Sequence, residues 1–122
     1  MAAPNIVSVT TITGKTQGAT VGTSAASFVS NSSASGKVFK INSLVVSNVD
    51  GSSGADLTAY VRKNNSNNYH LAKTITVPAQ ATLVVISKDT SIYLEENDSI
   101  WLQASAASDL EAVCSYEEIT DD

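Results

Sequence analysis

The amino-acid sequence predicts an all-β protein: a single antiparallel β-sandwich, for which a jelly roll is one arrangement, preceded by an extended N-terminal arm. Three observations lead there. The 122 residues include 12 Thr, 13 Val and 8 Ile, types whose branched Cβ packs well on a pleated surface. Turn-forming clusters of Asn, Asp, Ser and Gly recur at intervals near a dozen residues, as in a sandwich. No window carries apolar residues at i, i+3, i+4 and i+7 between capping signals, so no long helix is expected. A chain of this length buries about two-thirds of its unfolded surface and supports one domain. With 6% aromatic and 16% charged residues, its surface must be neutral and polar.

Taken in order, segment 5–13 alternates Val7, Val9, Thr11 and Thr13 against Ile6, Ser8, Thr10 and Ile12. Neither side is strongly apolar, so burial within its own domain gains little. The expectation is an arm over residues 1–16 that adds as a strand to a neighbour, with Ile6, Val7, Val9 and Ile12 as contact residues, and a sandwich over residues 17–122. Segment 16–30 is small and polar, interrupted by Gly18 and Gly22, and reads as a weak strand or ordered loop followed by a short strand. After the turn at 31–36, segment 38–49 is the strongest strand, expected at the centre of a sheet. Strict alternation puts Phe39, Ile41, Val45 and Val49 on one face and Lys40, Asn42, Leu44, Val46 and Asn48 on the other.

A Gly/Ser turn at 50–54 precedes alternation of Leu57, Ala59 and Val61 with Thr58, Tyr60 and Arg62, and the run 64–68 closes a hairpin into Tyr69, Leu71, Lys73, Ile75 and Val77. Pro78 ends that strand because it cannot donate to a ladder. The continuous apolar run 82–87 suggests a strand buried on both faces. Segments 91–94, 99–106 and 110–119 complete the set.

The residues do not supply a catalytic constellation, and no catalytic, cofactor or metal residue is assigned. Cys114 is the sole cysteine and His70 the sole histidine, which excludes an intrachain disulfide and a multi-cysteine zinc site. Cys114 is expected as a small buried hydrophobe and His70 at the surface or an interface. Glu95, Glu96 and Asp98 fall in a turn but lack the alternating oxygen ligands of a calcium loop. There is no phosphate-cradling glycine motif. Trp101 reads equally as a core aromatic or an interface anchor. The N-terminus has no basic and apolar leader and no segment approaches eighteen apolar residues, so the expectation is a protein made in a cytoplasm that does not span a membrane. A pI near 4.6 speaks against nucleic acid as a partner.

Charge is unevenly placed. Residues 1–88 hold all seven cations and only Asp50 and Asp56, whereas residues 89–122 hold ten acids and no Lys or Arg. The two segments can pair within one chain, the plainer reading, or between copies.

Several stretches carry a family resemblance: AKTITVPA at 72–79, LVVISKDTSIYLEENDSI at 83–100, DLEAVCSYEEI at 109–119, ITGK at 12–15 and GKVFKINS at 36–43. Together they resemble small virion structural proteins of tailed phages, notably those infecting marine cyanobacteria. Asn97 stands where a glycine is usual in the turn before Asp98-Ser99. The resemblance carries no catalytic motif. It implies a structural role on the virion, in the capsid or in the neck, tail or fibre, without fixing which. The expectation is a non-enzymatic virion protein, made in the host cytoplasm, that associates with itself and with the major capsid protein as a decoration or cement protein. The alternative is a neck, tail or fibre component, including a receptor- or carbohydrate-binding module that would use Tyr60, Tyr69 or Trp101 as stacking surfaces.

Overall fold

The computed structural model describes Val7 and residues 9–120. Nine strands carry the fold: β1 (Thr11–Thr20), β2 (Ala26–Ser30), β3 (Lys37–Asn48), β4 (Ala55–Lys63), β5 (Asn67–Val77), β6 (Thr82–Ile86), β7 (Ile92–Leu94), β8 (Ser99–Ala104) and β9 (Leu110–Thr120). One sheet runs β1-β9-β3-β6, with β7 also paired to β3; the other runs β2-β8-β4-β5, and every pairing is antiparallel. Because β9 occupies one side of β3 throughout, β6 at Leu44–Ser47 and β7 at Phe39–Ile41 share its other side. They are one edge strand interrupted by the 3-10 turn Lys88–Thr90. Counted so, eight strands face each other in the order 1-8-3-6 over 2-7-4-5, which is a jelly roll.

The all-β sandwich expected from composition and periodicity is therefore the architecture found. Its core lies between the sheets. Ile41, Leu44, Leu57, Leu94, Ile100 and Leu110 are fully buried, and Phe39 packs on Tyr116 with ring centroids 5.4 Å apart.

Three local readings need correction. In β3 the register shifts between Ile41 and Ser43, and this bulge reverses the alternation. Phe39 and Ile41 face the core before it, Leu44, Val46 and Asn48 after it; Val45 turns outward, and Val49, just beyond the strand, is exposed. The apolar run of β6 is not buried on both faces: it forms a sheet edge, with Val84 58% exposed. The boundary between residues 16 and 17 falls inside β1, whose ten residues pair with β9 of the same chain from Thr11↔Thr120 to Thr20↔Glu111. Residues 11–16 thus belong to the first sheet. Ile6 lies outside the described residues.

Turn chemistry follows the sequence closely. Asn64 and Asn65 both have positive φ, and the Ser66 N–H donates to the Lys63 carbonyl at 2.9 Å, a tight turn of two left-handed residues, which Asn tolerates, within the loop that joins Lys63 to its strand partner Asn67. Asn97, with φ 74°, occupies a left-handed position, the conformation in which glycine is cheapest and Asn the next best choice.

Asp98 then locks two turns together. Its carboxylate is buried and accepts from Lys63 Nζ at 2.6 Å and from the Asn64 and Glu95 backbone N–H groups, each at 2.9 Å. The β4–β5 hairpin turn is thereby fixed to the turn between β7 and β8. Truncation strands two backbone donors and a cation. We expect Asp98→Ala to destabilise the fold by about 3 kcal/mol, with Asp98→Asn costing less, as read from urea unfolding midpoints.

Candidate assembly surface

The first sheet ends at β1, which among the described residues has a strand neighbour only on its β9 side. Just past the strand, the Val21 N–H donates to the Leu110 carbonyl at 2.8 Å, one step on in the same register. In an antiparallel ladder such hydrogen-bonded pairs alternate. Odd-numbered β1 residues therefore direct their main-chain groups at β9, and Ile12, Gly14, Thr16, Gly18 and Thr20 direct theirs away from the sheet. Nine of the ten residues are exposed, no register shift interrupts the strand, and Lys15 is its only charge.

That charge is turned inward along the sheet. Lys15 and Lys37 reach the two oxygens of Glu118 at 3.1 Å each, from the strands on either side of β9. Burial alone would raise the Glu118 carboxyl, but the hydrogen bonds and charges of Lys15 and Lys37 outweigh it and lower the value, while Lys15 is raised by the same contact. Gln17 seals the flank below β1, donating to the Phe28 carbonyl of the second sheet and accepting from Tyr116 Oη at 3.4 Å.

The second charge cluster joins Lys63 to Glu95 at 2.8 Å and to Asp98. Burial depresses the Lys63 ammonium, and hydrogen bonds to Asp98 and Glu95 more than offset it, leaving the value raised. All four of these ion pairs join a lysine of the cationic segment to an acid of the anionic one, so the two segments meet within the chain. Glu96 accepts from the Gly36 N–H at 2.6 Å. The three turn carboxylates are thus engaged with protein groups.

On the outer face of the second sheet, Ser27, Trp101, Tyr60 and His70 form one cross-strand row. Trp101 and Tyr60 lie parallel at 6.2 Å, and His70 is 5.2 Å from Tyr60. Trp101 Nε1 donates to Ser99 Oγ at 2.8 Å. The Arg62 guanidinium sits 4.0 Å over the Trp101 ring and donates to Asn68 Oδ1 at 2.9 Å. Trp101 is therefore a half-buried surface aromatic outside the core cluster, already covered by a cation. Tyr60 is only 7% exposed. Tyr69, though exposed, pairs with Val61 on the opposite side of the sheet from that row. The three aromatics do not form a common stacking platform.

Among the residues expected at an interface, Val7 is exposed, Val9 half-buried, and Ile12 is 56% exposed on the outer face of β1. Trp101 lies on the other sheet, so the structure does not bring it together with Ile12. Sequence reasoning missed the even-numbered row Gly14, Thr16, Gly18 and Thr20; its signal was a nearly uncharged segment free of proline. Cys114 is fully buried in β9, and burial pushes its thiol up to about 12. Among the described residues no group of three or more His, Cys, Asp or Glu side chains is placed to hold a metal, and no helix is long and apolar enough to cross a membrane.

No family model matches the chain, and no curated protein matches it. A solved structure from Bacillus endospore appendages, which form a family of disulfide-linked pili, is similar in fold: TM-score 0.53 at 14% identity, over 92% of this chain and 88% of that one. At that identity the likeness is one of fold.

Glu118 gives a pH test. Its lowered value means that its contribution is fully present above the ordinary carboxylate range and is lost as pH falls through the lowered value. Glu118→Gln should lower the thermal midpoint at pH 7, with the gap to the parent closing under acid until both variants melt together.

Proposed function

We propose that this chain is a non-enzymatic structural protein that assembles through the free edge of β1, and specifically a virion protein of a tailed phage that decorates or cements the capsid. The observation that carries the reading is the edge itself. Ten residues without bulge, proline or outward charge present a row of main-chain donors and acceptors, the feature that soluble monomers ordinarily blunt. Strand addition there supplies affinity from main-chain hydrogen bonds and needs no pocket.

The resemblance to phage virion proteins supports the location, and the jelly roll is a fold that capsid proteins use among many others. Partners are then further copies of the chain and the major capsid protein, with neck or tail proteins as the alternative. The disulfide linkage of the endospore pili has no counterpart in Cys114, whose thiol is buried and un-ionised. The receptor- or carbohydrate-binding alternative loses ground because Arg62 already occupies the Trp101 ring and Tyr60 is buried.

Thr16→Pro tests the edge, because it removes an N–H that points away from β9 and leaves the β1–β9 ladder intact. The expected outcome is a protein with the parent's circular dichroism and a thermal midpoint within about 4 °C of it, whose assembly by light scattering is lost. Unchanged assembly would sink the reading. Copy number per purified particle then fixes the location: parity with the major capsid subunit means decoration, and a small cyclic multiple means neck, tail or fibre.

A further inference from the structure

Resting on that reading, we infer that the strand added to β1 is β1 of a second copy, running antiparallel about a two-fold axis through Thr16. The argument begins with the other edges. β2 has five residues and a register shift between Ser27 and Val29. β5 is shifted twice against β4 and contains Thr74 at φ 54°. The β6–β7 edge is broken by the turn Lys88–Thr90. Among the described strands, then, the one edge long and regular enough to match β1 is another β1.

The sequence of β1 is self-complementary about Thr16. Residues with outward main-chain groups must face one another, so allowed registers pair even with even. An axis through Thr16 pairs it with its own copy, Gly14 with Gly18 and Ile12 with Thr20, and engages all five outward residues of both chains. Lys15 then faces Gln17 of the copy. Moving the axis to Lys15 would put two ammonium groups directly opposite each other, which is destabilising, and every other register leaves some outward residues without partners.

The glycines are an independent observation. Neither Gly14 nor Gly18 has positive φ. A Cβ at Gly14 would meet nothing within 4 Å, and one at Gly18 only the Ala112 carbonyl at an ordinary 3.6 Å. The chain's own fold does not require glycine at either place, and glycine inside a strand weakens it. In the two-fold pair they lie opposite each other, where small residues let a second backbone approach closely. The product is an isologous dimer with one continuous sheet.

Cysteine cross-linking reads the register directly. Hydrogen-bonded partners sit about 5.5 Å apart at Cα, inside disulfide reach, so oxidised Thr16→Cys should run chiefly as a covalent dimer on a non-reducing gel. Gly14→Cys alone should not, because the two copies of residue 14 are about 14 Å apart along the strand. Mixing Gly14→Cys with Gly18→Cys should give the covalent heterodimer. Cys114 is buried, and the parent protein controls for it. Deleting residues 1–9 should leave the Thr16→Cys link in place; its loss from a folded deletion variant would assign the edge to the N-terminal segment and overturn the inference. Self-linking by Gly14→Cys overturns the register. Assembly that Thr16→Pro abolishes without any Thr16→Cys link overturns the two-fold while leaving edge addition standing. A parent protein that stays monomeric at every concentration ends both.

Discussion

The last strand, β9, is held between the first and the third along its whole length, with eleven residues paired to β3 and ten to β1. Nearly everything else depends on that placement. It directs Leu110, Ala112, Cys114 and Tyr116 at the second sheet and brings Glu118 between Lys15 and Lys37. β1 and β3 cannot be joined in one sheet until β9 arrives between them. Such non-local pairing delays folding, since loop closure must precede the contacts that reward it.

The uneven distribution of charge makes sense in these terms. An acidic β9 lies between two strands whose charges are all lysine, and the acidic turn before β8 meets Lys63 at the tip of the β4–β5 hairpin. Exposed pairs of this kind add little stability singly. Asp98 differs because it is buried and its acceptor sites are filled by two backbone N–H groups as well as a cation. It fixes the relation of two turns and so the way the two sheets meet at that end. The same contacts leave the edge of β1 without a charge pointing at an approaching strand.

How much was legible in the sequence follows from which forces write themselves locally. Strand and turn positions were readable because Asn64-Asn65 and Asn97 carry their backbone requirements in their own chemistry. The bulge at residues 42–43 was not: Asn42 and Ser43 suit either phase of the alternation, and the choice is made by β9. The run 82–86 looks the same at a sheet edge as at its centre, because apolar content does not reveal how many neighbours a strand has. β1 misled in the opposite sense. It holds little apolar area, so a hydrophobic reading released it as an arm, whereas a ladder on β9, the Gln17 bridge and the Lys15–Glu118 pair retain it. Trp101 could not be placed because Ile100 and Leu102 complete a core face without it, and its cover by Arg62 depends on the registry of two strands.

A sandwich has four edges, and each invites another strand. In this molecule three are blunted by different devices: a bulge in β2, two shifts and a left-handed residue in β5, and a turn inserted between β6 and β7. Each device spoils hydrogen-bonding regularity at the edge while the core stays filled, with Phe28 and Val29 buried at the β2 shift and Leu57 and Ala59 buried beside the β5 shifts. β1 has none of them, and it carries two glycines where its own fold would accept a larger residue, at a cost of roughly 0.5–1 kcal/mol each. Sparing one edge while blunting three would restrict strand addition to a single direction. A surface with one open edge closes on itself as a pair, whereas two open and complementary edges would continue into a fibre. The asymmetry among the edges therefore bears on what kind of assembly strand addition to this chain would build, and the ladder on β9 is what holds the open edge straight.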